Sequence, residues 1–196
     1  MDPINILLIG RSGCGKGTQG KLLAKFLEEN DYGKSLYVYT GEKLRSFSQG
    51  GNSLAASITK KRLEGGFLLP SFLAVWLWSG SLIEELNEKD NLIMDGSPRT
   101  LLEAMMIDDA MEFYGRGRVA PLFIETSEGW SRERLLNRGR KDDGEKSINE
   151  RLAYFDKQVV PVINYYKNES KHKLVTVNGE QGIESVHKDI IEGIFK

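Results

Sequence analysis

The sequence predicts an α/β protein in which one parallel sheet carries helices on both faces. Two observations carry this. Short apolar runs recur along the chain, each separated from the next by helical or polar sequence, and strands spaced in this way need crossover helices. The first run is followed at once by a glycine-rich turn and an amphipathic helix, all within about one βαβ length.

Ile4 to Ile9 is apolar throughout, too short for a helix and stopped by Gly10, as expected of a strand buried on both faces. From Lys16 to Glu29, Thr18, Leu22, Leu23, Phe26 and Leu27 recur at helical spacing. Further strands are predicted at Ser35 to Tyr39, Leu92 to Asp95, Leu122 to Glu125 and Lys173 to Val177. Helices are predicted near 41–49, 53–64, 71–87, 100–114, 128–138, 146–167 and 182–195. Trp76 and Trp78, two apart on a helix, cannot share a face, so one belongs to the core and the other is open. Gly50-Gly51, Gly65-Gly66 and the charged stretch Arg138 to Glu145 read as loops or hinges on one body, and no repeat or linker divides the chain.

The chain has 196 residues, with 27 Lys+Arg against 28 Asp+Glu. That length predicts a single domain, 1–196. The charge balance argues against a broad electrostatic footprint for nucleic acid or anionic lipid. Cys14 is the one cysteine, which excludes an intrachain disulfide and fits a reducing compartment. With no basic leader and no apolar run near the length of a membrane span, a soluble cytoplasmic protein is expected.

Gly10-Arg11-Ser12-Gly13-Cys14-Gly15-Lys16-Gly17-Thr18 has the spacing of a phosphate loop. Glycines there let backbone N–H groups wrap an anion at a helix N-terminus, and Lys16 would reach the outer phosphates. Gly17 stands where a Ser or Thr hydroxyl usually touches the metal, and the hydroxyl arrives one residue later at Thr18. Asp95 ends an apolar strand, where such proteins place the acid that orients Mg²⁺, directly or through water.

Taken together, GRSGCGKGTQ (10–19), YTGEKLR (39–45), DGSPRT (95–100) and RGRKDD (138–143), followed by Arg151-Leu152, resemble the nucleoside monophosphate kinases, closest to the adenylate kinases. The resemblance implies the three-layer P-loop kinase fold with five parallel strands, a mobile monophosphate segment at about 40–70 and a very short lid at about 137–145. It implies reversible Mg²⁺-dependent phosphoryl transfer from ATP to AMP, giving two ADP, by a monomer without nucleic-acid or membrane partners. Kinases for GMP, CMP or UMP, and a nucleotide-binding regulator with little transfer, are the alternatives.

By the same resemblance, Gly13, Cys14, Gly15, Lys16, Gly17, Thr18 and Arg134 bind ATP. Thr40, Gly41, Arg45, Leu69, Gly96, Arg99 and Glu103 line the monophosphate site, with Leu69 in its apolar wall. Lys16, Arg99, Arg134, Arg138, Arg140 and Arg151 surround the transferring group, Asp95 serves the metal, and Asp142 and Asp143 hold lid arginines or hinge geometry. Thr40 also reads as the N-cap of its helix. His172 and His187, in polar contexts, read as surface residues.

The chain departs from the family at Glu103 for glutamine, Ser97 for phenylalanine and Ser12 for the loop proline, and in its lid, where only Gly139 separates Arg138 from Arg140. An ionised glutamate can only accept hydrogen bonds, which suits guanine's donors better than adenine. A lid cut nearly to a turn excludes water less completely, so some ATP hydrolysis without acceptor is expected.

Overall fold

A computed structural model describes residues 2–140 and 143–195. Among these, five strands form one sheet: β1 (Asn5–Ile9), β2 (Ser35–Tyr39), β3 (Asn91–Asp95), β4 (Val119–Glu125) and β5 (Val175–Asn178). Their order is β2-β3-β1-β4-β5, and every pairing is parallel. The connecting helices are α1 (Lys16–Glu29), α2 (Thr40–Gln49), α3 (Leu54–Glu64), α4 (Ser71–Glu85), α5 (Leu101–Phe113), α6 (Glu128–Arg138), α7 (Glu145–Tyr154), α8 (Val160–Asn168) and α9 (Ile183–Phe195).

The two-residue alternation of a strand divides the core. Leu7, Ile9, Leu92, Met94 and Val38 face the layer of α4, α5 and α8, where Trp78, Leu82, Ile107 and Val162 meet them. Ile6, Leu8, Ile93, Leu122 and Ile124 face α1 and α9, against Leu23, Leu27, Val186 and Ile190. Because both faces are covered, the inner strands read as unbroken apolar runs rather than alternating ones. Two small satellite cores lie beside this one. Leu44, Leu69 and Leu73 join α2 to α4, and Leu135, Ile148 and Leu152 join α6 to α7.

The topology fixes where a ligand can sit. From β1 the chain runs out to the edge at β2 and returns to β3, and from β3 it crosses to β4 on the other side of β1. Loops leaving β1 and β3 therefore diverge at the carboxyl edge of the sheet, the crevice that open α/β sheets use for ligands.

Three boundaries differ from the sequence reading. The helix expected over 146–167 is α7, a π-helical turn at Phe155–Val159, and α8. Pro161 in the first turn of α8 lacks the N–H that a continuous helix would need, and the wider turn absorbs the defect. β4 begins at Val119 and includes Pro121, whose missing donor is tolerated because β5 pairs only from Leu122 onward. β5 begins at Val175 rather than Lys173. Trp78 is core and Trp76 is 56% exposed, resolving the pair. The reading of both histidines as surface residues is corrected: His172 is buried and His187 half-buried, facing Gln19. Burial lowers both imidazoles' pKa values from the ordinary histidine value.

Ile93 is fully buried between β1 and β2 on the α1 side. Ile93→Ala is expected to lower the unfolding free energy by about 2–5 kcal/mol. Urea denaturation reads this directly, and a loss below about 1 kcal/mol would contradict the packing described.

Candidate active site

The loop after β1 is shaped by its neighbours. Gly13 has φ +90, and a Cβ there would stand 2.5 Å from the carbonyl oxygen of Ser131, so the loop lies directly on α6. Gly15, left-handed at φ 100, is the N-cap of α1, and no side chain caps that helix. Leading N–H groups of such a helix are available to an anion, and the helix dipole favours one. Lys16 folds back over the loop, its Nζ donating to the carbonyls of Gly10 at 2.7 Å and Arg11 at 2.8 Å, and 3.4 Å from Sγ of the buried Cys14. Thr18 is exposed on α1.

Asp95 ends β3 beside this loop and is 3% exposed. A Cβ on Gly17 would lie 3.3 Å from its Oδ2, so the acid stands against the first turn of α1, and a side chain there would displace it by a few tenths of an ångström. The Tyr37 hydroxyl donates to the same oxygen at 3.1 Å. Burial, then the carboxylate, push the Tyr37 pKa far above the ordinary phenol value. Among the described residues no three His, Cys, Asp or Glu side chains cluster as a metal site. Asp95 is the carboxylate beside the loop, and a hard cation held there would draw further oxygens from phosphate and water, a donor set that Mg²⁺ accepts beside nucleotides.

The loop after β3 faces α2. A Cβ on Gly96 would lie 3.2 Å from Arg99 Nη2, 3.4 Å from the Gly41 nitrogen and 3.7 Å from Thr40 Cβ, so these groups converge on one point. The Ser97-Pro98 bond is cis. Thr40 does not cap α2, a correction to the sequence reading. The helix already begins at Thr40, Tyr39 holds the cap position, and the Thr40 hydroxyl donates to Ser97 Oγ at 3.1 Å. With serine at 97, that hydroxyl has a partner that phenylalanine could not offer.

Arg99 Nη1 lies 3.4 Å from the Tyr154 hydroxyl. That contact, opposed by burial, raises the guanidinium pKa further. Burial pushes the Tyr154 phenol pKa up, but Arg99, Ser12, Lys16 and Arg151 together bring it below the ordinary phenol value. Ser12, Lys16, Gly96, Arg99, Tyr154 and Phe155 enclose a cavity of about 20 Å³, the room of roughly one water molecule.

Glu103 is 1% exposed and turned inward. Its carboxylate accepts from the Arg99 backbone N–H at 3.2 Å and the Thr100 hydroxyl at 3.3 Å, while Thr100 Oγ1 caps the Glu103 N–H at 3.2 Å. This reciprocal Thr-x-x-Glu cap starts α5 and fixes the backbone that carries Arg99. Burial raises the Glu103 pKa above the ordinary carboxylate value, against the pull of Ser97 and Arg99. Leu69 is buried in the small core with Leu44 and Leu73. Arg45 is half-buried over the Tyr39 ring, 5.2 Å from its centroid.

The third group of cations comes from α6, α7 and the connection between them. Arg134 lies 5.0 Å over the Trp130 ring, and its Nη1 is 3.7 Å from the Cβ position of Gly15. Asp143, whose side chain is 2% exposed, takes a two-pronged bond from Arg138 at 2.8 and 2.7 Å and another from Arg151 at 2.7 Å. The Arg151 Nη2 also donates to Ser147 at 2.8 Å. Arg140 reaches away from this knot, its Nη1 donating to the Tyr39 hydroxyl at 3.1 Å. Asp142 lies outside the described residues.

The adenylate kinase family model matches residues 8–171. The chain belongs to the adenylate kinase family. Curated relatives include Adenylate kinase 1 of a Nostoc species, 30% identical over 94% of this chain and 95% of its own length. The Adenylate kinase of Bacteroides thetaiotaomicron is 30% identical over 98% and 99%. The Adenylate kinase of Azobacteroides pseudotrichonymphae is 31% identical over 97% of each chain.

Sequence reasoning missed three residues of this adenylate kinase-family site. Tyr39 and Tyr154 touch its arginines, and Arg11 lies 3.9 Å over the Phe155 ring while bonding Asp156 at 3.2 Å. Tyr39 stands inside a quoted motif, but no spacing rule singles out an aromatic there. Tyr154 and Phe155 are brought to the loop at the start of the π-helical turn, which a 3.6-residue period does not contain.

Asp143 gives a pH-dependent test. Burial acts to raise its pKa, but Arg138 and Arg151 outweigh that and hold it below the ordinary aspartate value. A depressed carboxylate pKa contributes stability above the unfolded value and loses it as pH falls through the folded one. Asp143→Asn is therefore expected to melt below the parent at neutral pH, with the gap closing as pH drops beneath the ordinary aspartate range. Thermal melts across pH check this; a gap that stays constant in acid contradicts it.

Proposed function

We propose that the protein catalyses reversible transfer of the terminal phosphoryl group of ATP to AMP, giving two ADP. The observation that carries this reading is the meeting of two anion-binding elements in one small cavity: the phosphate loop after β1, with Lys16, and the Gly96–Arg99 loop after β3. Two phosphate chains approaching from opposite sides would meet there. Phosphoryl transfer needs alignment and positive charge around a spread-out anion rather than a nucleophilic side chain, and this cleft offers that.

In this reading the loop backbone and Lys16 bind the ATP phosphates, Arg134 lies over the start of α1, and Arg138, Arg140 and Arg151 add charge at the ATP end. Thr40, Gly41, Arg45, Gly96 and Arg99 bind the monophosphate, with Leu69 behind them. Guanidinium forks suit a phosphate held by two bonds at once. Mg²⁺ carried in with ATP would lie beside Asp95 and neutralise phosphate charge. Lys16 is held by two loop carbonyls and must exchange them for phosphate oxygens. The cavity holds only about one water, so the side chains around it must part for a phosphoryl group.

The inward turn of Glu103 removes the case for GMP over AMP, because its carboxylate is engaged by Arg99 and Thr100 rather than presented to guanine donors. The buried free thiol and nucleotide substrates support the cytoplasm.

Initial rates of ADP formation from ATP with AMP, GMP, CMP or UMP test the reading. AMP is expected to be fastest, and AMP slowest would end it. Arg99→Ala is expected to reduce kcat/KM for AMP by about 10²–10³-fold. ATP consumption without acceptor should be measurable above background with so short a lid, and background-level hydrolysis during rapid transfer would contradict that point.

A further inference from the structure

Tyr39 is the last residue of the edge strand β2, and Arg45 follows on α2. Its aromatic face lies 5.2 Å under the Arg45 guanidinium, and its hydroxyl accepts a hydrogen bond from Arg140 at 3.1 Å. A Cβ on Gly41 would lie 2.9 Å from the ring, so glycine there leaves the ring its place. Arg140 arrives from the far side of the sheet, through the connection between α6 and α7. One side chain therefore touches a cation proposed to hold the monophosphate and another proposed to act at the ATP end.

The chemistry suits a linker. A carboxylate here would neutralise both arginines and repel an incoming phosphate. A neutral phenol seats one guanidinium on its ring and receives the other on its oxygen, leaving both charges free for substrate. Burial raises the Tyr39 pKa, but Arg45 and then Arg140 pull it below the ordinary phenol value, as expected of an oxygen flanked by two cations. The lid motif is only Arg138-Gly139-Arg140, so a long side chain reaching across the cleft is the means such a lid has of meeting the monophosphate side.

We propose that Tyr39 is a positioning residue that couples the two nucleotide sites: its ring orients Arg45 for AMP, its hydroxyl draws Arg140 across the cleft, and each nucleotide thereby strengthens binding of the other. This rests on the kinase reading above.

The test is calorimetric binding of a non-hydrolysable ATP analogue, with and without saturating AMP, to the full chain and its variants. In the parent, AMP is expected to tighten the analogue by about fivefold or more. In Tyr39→Phe that factor should fall to within about twofold of unity while AMP affinity stays within about threefold of the parent, because the ring remains. Tyr39→Leu should also weaken AMP by about tenfold. Arg140→Gln, which leaves the ring packing untouched, should lose the coupling as well, and adding Tyr39→Phe to it should change nothing further.

An uncoupled parent, full coupling in Tyr39→Phe, or a double variant worse than either single one each overturns the proposal. If Tyr39→Phe fails to fold, Arg140→Gln decides the matter: retained coupling overturns the proposal and lost coupling upholds it. ADP formation by the parent separates this from the underlying reading, because a parent that makes ADP without coupling refutes only the role of Tyr39.

Discussion

The structure depends on holding several like charges in one cleft. Lys16 and Arg99 line one small cavity, Arg134 lies over the start of α1, and Arg45, Arg138, Arg140 and Arg151 stand on α2, α6, α7 and the α6–α7 connection; cations brought near one another repel unless each is held. The fold gives each a local partner. Loop carbonyls hold Lys16, the Tyr154 hydroxyl meets Arg99, Trp130 underlies Arg134, Tyr39 serves Arg45 and Arg140, and Asp143 gathers Arg138 and Arg151. Most of these partners are uncharged. Neutral partners orient a cation without cancelling its field, which is what a site awaiting polyanions requires.

The same economy explains Asp95 and Gly17. A carboxylate beside a phosphate-binding loop is acceptable when it can share a cation with the phosphates, and it must lie close enough to do so. Glycine in the first turn of α1 lets the acid stand against the helix, and Tyr37 holds it there.

Much of this was legible in the sequence. The apolar runs located the strands because buried parallel strands have no polar face to interrupt them. The glycine spacing identified the anion loop, since residues with a Cβ could not lie against α6 as Gly13 does. The arginines came from motif resemblance, because a guanidinium carries no local signal of its purpose. The illegible part was long-range. Tyr39 meets Arg140 across 101 positions and Tyr154 meets Arg99 across 55. Thr40 looked like a cap because caps are local, while its actual partner, Ser97, lies 57 residues away. The Thr-x-x-Glu cap that engages Glu103 was present in the sequence at Thr100, where the capping pattern is local.

The central claim is that two phosphate chains meet between the Lys16 loop and Arg99 and exchange one phosphoryl group. Phosphorus NMR of the protein with ATP, AMP and Mg²⁺ tests it most directly. The account predicts two ADP formed for each ATP and AMP consumed, approaching the same equilibrium mixture when ADP alone is supplied. ATP loss matched by inorganic phosphate, with AMP unchanged, would contradict it.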